Sequence, residues 1–360
     1  MKYKESVADK SLVDPQKLEN LCCKILCKVG VSKDDALYIS SVMVRTDLRG
    51  REAHGVIRIG DLIKKIEEGL LNPLSEIKIV KDNEAVSVVD GCYGIGYVIG
   101  SKVMDLAINK ANQYGVGIVG VKNSSFFGTT DYLAEIAAKK KMIGIVSTNA
   151  GPNMAPWGGT TISLGTNPFA ISVPTSKEEC PIILDMATSV VGKSKILLAR
   201  KMGEKIPIGW ALNKYGENTT DPEEACNGFV LPVGGYKGYG LSLMVDIFSG
   251  VLTGGLFGKD AIGPYTFKKG GVGHFVQAIN IQHFMDYNDF LIRIEKRIKQ
   301  IKDSELAPDY ERIFLPGERA YESEMEKREN GLPLRRKTID DLILISKKFN
   351  IKHDFLNESL

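Results

Sequence analysis

The period of the hydrophobic pattern changes twice along this chain, and that limits the folds open to it. Residues up to about 75 read as helices. In "PQKLENLCCKILCKVG", Leu18, Leu21, Ile25 and Leu26 share one face of a 3.6-residue repeat, and Gly30 stops it. "SKDDALYISSVMVRTDLRG" opens on Ser32, an N-cap with Asp35 three residues on, and closes at Gly50. A third repeat (Val56, Ile59, Leu62, Ile63, Ile66) predicts a helix that begins beside His54 and ends at Gly69. The pattern then breaks into short β-branched runs: "AVSVVDG", "VGIVGV", "MIGIVSTN", "FAISVP", "PIILDM" and "GHFVQAINI", bounded by Gly, Pro and Asn. Helical stretches fall between some of them, at about 97–113, 129–140, 190–202 and 237–252. Helix returns in "NDFLIRIEKRIKQIKDS" and in "RKTIDDLILISKKFN", where Thr338 is the expected N-cap with Asp341 behind it. The expected architecture is a mixed α/β domain over residues 77–281, inserted in a helical domain built from residues 1–76 and 282–360.

A chain of 360 residues has room for this. Its 47 Lys and Arg against 44 Asp and Glu leave a net charge of +3. The basic runs "AAKKKM" and "IEKRIKQIK" lie in helical patterns and read as solvated faces, so no nucleic-acid partner is expected. The N-terminus "MKYKESVADKSL" is polar, and no apolar run reaches the ~18 residues of a membrane span. The expected location is the cytoplasm. Cys22, Cys23, Cys27, Cys92, Cys180 and Cys226 lack the paired spacing of a metal centre and read as free thiols.

Four places invite chemistry. "AVSVVDGCYGIGYVIG" resembles a strand, a glycine turn and a helix, with Gly94, Gly96 and Gly100 near a dinucleotide fingerprint. The spacing is one residue too long, and the next strand runs into Lys122 and Asn123 where an acidic residue would hold the ribose. The competing reading is a helix start with glycines for packing. His54, in "DLRGREAHGVIR", is one of four histidines. At a helix N-terminus its pKa would be pulled down, and proton transfer stands beside a plain capping role. Asp185 follows the apolar run of "PIILDMATS" and sits at a strand end, as a functional carboxylate or as an ordinary turn residue. In "GGYKGYGLSLMVDI", two glycines and Lys237 precede an apolar helix, a combination suited to an anion. Arg49 and Arg58 are of the type that grips a carboxylate bidentately.

Taken in order, the segments resemble one family. "DLRGREAHGVIRI", "GIVGVKNSSFFG", "MIGIVSTNAGPNMAPWGG", "LGTNPFAISVPT", "ILDMATSVVGKSKI", "IPIGWALNKYGENTTDP", "LPVGGYKGYGLSLMVDIFSGVLTGG" and "ERIFLPGER" are similar to the malate/L-lactate dehydrogenase family of the second type. That family also holds sulfolactate and ureidoglycolate dehydrogenases and diketogulonate and piperideine-carboxylate reductases. The resemblance implies a non-Rossmann NAD- or NADP-binding domain with a mixed sheet beside a helical domain, and a homodimer. It implies that His54 moves the proton and that Asp185 supports it near the nicotinamide. It puts cofactor contacts on Asp185, Met186, Ala187, Thr188, Ser189, Tyr236, Lys237, Pro316, Gly317 and Glu318. The substrate, a small 2-keto or 2-hydroxy acid, is expected against Arg49, Arg58, Phe126 and Thr148.

Two departures bear on the substrate. Ala53 stands where the family has a serine before the histidine, and Phe126 stands where the family has a histidine in "NSxHFG". The pocket exchanges a polar group for an apolar wall. Ureidoglycolate oxidation or reduction of a cyclic imine carboxylate is the alternative reading, and a non-catalytic nucleotide-binding relative is the third.

Overall fold

The computed structural model describes residues 10–177, 180–263 and 266–356. It contains two compact units. One runs to Leu74 and resumes at Glu318; the other spans Ser75–Gly317.

The first unit opens with strand β1 (Lys10–Val13), helix α1 (Pro15–Lys28) and helix α2 (Lys33–Leu48). Asp14 caps α1 by accepting from the amides of Gln16 and Lys17, and Pro15 needs no partner at the first helical position. Ser32 caps α2 as its sequence predicts, accepting from Asp35 N. Leu18, Leu21, Ile25 and Leu26 are buried together with Ile39 and Met43. Each contributes about 1.5–3 kcal/mol of burial, as an upper figure. The third helix differs from expectation. Two 3₁₀ turns, Glu52–His54 and Val56–Arg58, precede α3 (Ile59–Glu67), so His54 lies outside the α-helix.

The second unit holds β2 (Lys78–Asn83), β3 (Val86–Asp90), α4 (Gly96–Tyr114), β4 (Val116–Ser124), α5 (Asp131–Lys139), β5 (Met142–Thr148), β6 (Phe169–Val173) and β7 (Ile182–Met186). Then come α6 (Lys193–Met202), β8 (Ala211–Leu212), α7 (Pro222–Asn227), β9 (Phe229–Val230), α8 (Tyr236–Asp246), β10 (Val272–Asn280) and α9 (Tyr287–Lys302). Seven strands form one mixed sheet in the order β2-β3-β4-β10-β5-β6-β7. Only β3 and β4 pair in parallel; every other neighbour is antiparallel. The last strand in sequence, β10, lies between β4 and β5. Glycines set the layers. A Cβ on Gly117 of β4 would meet Ala107 O of α4 at 1.9 Å, and one on Gly144 of β5 would meet Ala134 O of α5 at 2.2 Å. Gly120, three residues from Gly117, faces the other way, toward Thr253. Helices α4 and α5 therefore cover one face, and the π-helical continuation of α8 (Ile247–Val251) covers the other. A smaller core of Met154, Leu164, Val191, Ile196, Ala199, Ile206, Ala211, Ala225 and Val230 joins α6, α7, β8 and β9.

The glycine turn before α4 is a packing device. A Cβ on Gly96 would lie 2.1 Å from Ser125 O, and one on Gly100 would lie 2.6 Å from Leu133. The amides of Ile95 and Gly96 are already bonded, to Ser75 Oγ and Ser125 Oγ. Those two amides are not left for a phosphate.

The chain returns to the first unit in α10 (Glu318–Asn330), β11 (Leu332–Arg335) and α11 (Arg336–Lys348). β1 and β11 pair antiparallel, Lys10 opposite Arg335. α11 starts at Arg336, so Thr338 lies within its first turn and is not the cap. Residues 282–317, expected with the helical ends, fall in the sheet unit. Glu295 of α9 accepts from Ser176 N and Oγ, and Pro316 O accepts from Ile183 N of β7.

Candidate active site

In the first unit, His54 ends the turn that follows α2, and it is half-buried. Its amide donates to Arg51 O at 2.9 Å. The turn is held from several sides. Glu52 accepts from Lys10 Nζ of β1 and from Arg335 Nε of β11. Burial alone would raise the Glu52 pKa, but these two cations hold it below the usual carboxylate value. Arg58 donates from Nε to Ala53 O at 2.7 Å and from Nη1 to Asp61 at 3.3 Å. Asp47 of α2 accepts from Val56 N at 2.8 Å. Arg49 is buried and donates from Nε to Glu324 of α10 at 2.9 Å, beside Arg45 and Arg328 on the same carboxylate. Both arginines expected at the substrate are thus engaged in building the turn and its support. The geometry gives each of them a structural duty.

In the second unit, Asp185 lies on the sheet's edge strand β7, opposite Ala170. Thr130, the residue before α5, donates its hydroxyl to Asp185 Oδ1. Thr130 and Phe126 belong to one loop, Ser125–Thr130, between β4 and α5. Phe126 meets Tyr97 edge to face at 6.3 Å between ring centroids. Thr148, at the end of β5, is bonded on all sides: its hydroxyl reaches Gly273 O at 2.9 Å and Asn149 O at 3.2 Å, and His274 Nδ1 lies 2.8 Å away. Its hydroxyl is turned to the strands. Sequence reasoning passed over His274, which is fully buried on β10 against Phe127. Burial pushes its pKa down to about 3, so the ring is neutral.

The segments expected to meet a cofactor are continuous along that edge. Ile183 N donates to Pro316 O, and Gly317, at φ 88°, packs so closely on Ile183 that a Cβ would lie 3.1 Å from its oxygen. Met186 closes β7 opposite Phe169. After Ala187, Thr188 is tied to Thr166 O through its amide and its hydroxyl, and Val233 N donates to Thr188 O. Ser189 forms a bridge to Pro232. This leads to Gly234 and Gly235, both at positive φ, and to the start of α8, where no side chain caps the helix. Tyr236 and Lys237 are exposed there. Uncapped amides, a glycine turn open to solvent and one ammonium group suit the phosphates of a dinucleotide. The donor set fits NAD or NADP. Glu318, the last residue of the expected set, opens α10 in the other unit.

Comparison with known proteins decides the family. The profile described as malate/L-lactate dehydrogenase matches residues 13–343. The chain belongs to the malate/L-lactate dehydrogenase family. It is 41% identical over 348 residues to a malate dehydrogenase of Pyrococcus abyssi, covering 94% of this chain and 95% of that protein. It is 39% identical over 332 residues to an L-sulfolactate dehydrogenase of Methanocaldococcus jannaschii, covering 92% and 95%. The solved structure of Pyrococcus horikoshii malate dehydrogenase superposes with a TM-score of 0.88 at 37% identity, covering 98% of this chain and 99% of that one. Further relatives are named for NAD(+) and for NADP(+). This malate/L-lactate dehydrogenase family member is a dehydrogenase.

Proposed function

We propose that the protein reversibly reduces a small 2-keto acid, of the malate, lactate or sulfolactate type, to the 2-hydroxy acid with NADH or NADPH. When bound, the nicotinamide supplies a hydride to C2 of the keto acid. His54 gives the proton to the carbonyl oxygen, and in the reverse direction it accepts one. Asp185 is the carboxylate of the cofactor side, held by Thr130. Lys237 and the first amides of α8 bind phosphate. The positive cluster of Arg45, Arg49 and Arg328 around Glu324 adds a favourable field for an anionic substrate. The observation that carries the reading is the His54 turn, braced by Glu52, Arg58 and Asp47 in a chain 41% identical to a malate dehydrogenase.

The test is loss of NADH and of NADPH absorbance with oxaloacetate, sulfopyruvate and pyruvate. Turnover of one of them is expected, and loss of it in His54→Ala. Cofactor binding without turnover of any keto acid overturns the reading. Phe126 favours a second one. An aromatic wall backed by Tyr97 suits a less polar substrate, such as a cyclic imine carboxylate, and ureidoglycolate belongs in the same panel.

The protein is further read as a cytoplasmic homodimer. Its six cysteines are free, as in a reducing compartment, and no helix among the described residues is long and apolar enough to cross a membrane. Leu241, Met244, Phe248 and Leu252 form an exposed apolar stripe along α8 and its continuation, which a second copy would cover. Light scattering should give twice the chain mass, and Leu252→Glu should lower it.

A further inference from the structure

Asp47 is the most deeply buried carboxyl group near His54. It lies on the last turn of α2 and is 2% exposed. Its Oδ2 accepts from Val56 N at 2.8 Å. Its other oxygen lies beneath Gly55: a Cβ placed there would fall 2.1 Å from Oδ1 and 2.2 Å from Cγ. Gly55 has φ −87°, outside the left-handed region. The space is simply taken by the Asp47 carboxyl. His54, Gly55 and Val56 are consecutive, so the group that fills the space under one and bonds the next also sets the path of the first.

We propose that Asp47 is the positioning residue of this active site: its carboxyl group, seated under Gly55 and bonded to Val56 N, fixes the backbone that carries His54. The proposal rests on the reading of His54 as the proton donor.

Several ionisable groups face Asp47. They are Cys22 of α1, Glu52 of the turn, Lys10 of β1 and Lys327 of α10, whose Nζ bonds Asp47 O at 3.3 Å. Arg335 of β11 acts through Glu52. Burial dominates and pushes Asp47 up to about 8, against the pull of the Val56 bond and the two lysines. Near neutral pH the group is therefore an uncharged acceptor, which asparagine copies in shape. Above pH 8 it ionises.

The experiment compares Asp47→Ala, Asp47→Asn and His54→Ala in the full chain. Asp47→Ala should lower kcat/KM for the keto acid at least tenfold while the Kd for NADH or NADPH stays within twofold. Asp47→Asn should restore most of the rate at pH 7, and should lack the limb near pH 8 expected of the parent. Amide exchange over residues 51–58 should quicken in Asp47→Ala and not in Asp47→Asn, a readout that needs no substrate. If Asp47→Ala does not fold, Gly55→Ala disturbs the same contact from the other side and should show the same loss. Unchanged exchange over 51–58 together with unchanged kcat/KM in Asp47→Ala overturns the proposal. Full turnover in His54→Ala instead overturns the reading of the proton donor. The two failures are thereby distinct.

Discussion

Arg58 reaches back five residues and donates from Nε to the backbone oxygen of Ala53, closing the turn whose last residue is His54. A charged donor on a carbonyl contributes about 1.5–3 kcal/mol. Arg58→Met should lower the unfolding free energy by about that much, and should reduce kcat/KM with little effect on cofactor affinity. Denaturant melts and fluorescence titration with NADH check the two parts. An unchanged melt would show that the bond is replaced by water.

The bond from Thr130 to Asp185 is the counterpart in the other unit. Thr130→Val keeps the shape and removes the donor. Hydrogen bonds to charged groups are worth about 1.5–3 kcal/mol, so kcat/KM should fall about 10- to 100-fold. Thr130→Ser should recover most of it. Equal losses in both variants would mean that packing, and not the hydroxyl, matters there.

Glu324 holds three arginines. Burial alone would raise its pKa, but Arg45, Arg49 and Arg328 bring it below the usual value. The ionised form therefore contributes stability that is complete above the unfolded pKa near 4.5 and is lost as pH falls through the lowered folded value. Glu324→Gln removes the negative charge beside the buried Arg49 and should cost about 3 kcal/mol at pH 7. The gap between parent and variant should narrow below pH 4.5. Thermal melts at pH 7 and pH 4 measure it; a constant gap would refute the charge argument.

His274 works in the opposite chemical sense, as a base kept neutral. Its folded pKa of about 3 lies below the ordinary 6.5, so the unfolded chain takes up a proton that the native state refuses. Stability from this residue is full above pH 6.5 and declines as pH falls toward 3. The slope is about 1.4 kcal/mol per pH unit. His274→Asn should flatten that part of the stability profile relative to the parent. An unaltered slope would mean that His274 is charged in the native state.

Much of the fold could be read in advance because it is written in local patterns. The buried face of α1, the Ser32 cap and the β-branched runs each depend on neighbours within a few residues. The glycines at 94, 96 and 100 suit a phosphate cradle or packing alike on local pattern, and Ser125 O, 29 residues from Gly96, favours packing. The candidate site is legible in the sequence as residue types and not as partnerships. His54 and Asp185 stand out by their place in motifs. That Arg49 answers to Glu324, 275 residues away, has no local signal. The same holds for His274 against Thr148, 126 residues apart. Asp47 was within reach: a carboxylate eight residues before a glycine hints at contact only once α2 is known to end at Leu48.

The pairing of β1 with β11 sets an order of events during synthesis. The sheet unit is complete once Gly317 has left the ribosome. Arg49 then still waits for Glu324, and Glu52 for Arg335. The turn that carries His54 therefore acquires these supports only when residues 324 and 335 have been made. A nascent chain halted before residue 318 would carry the His54 turn without those braces.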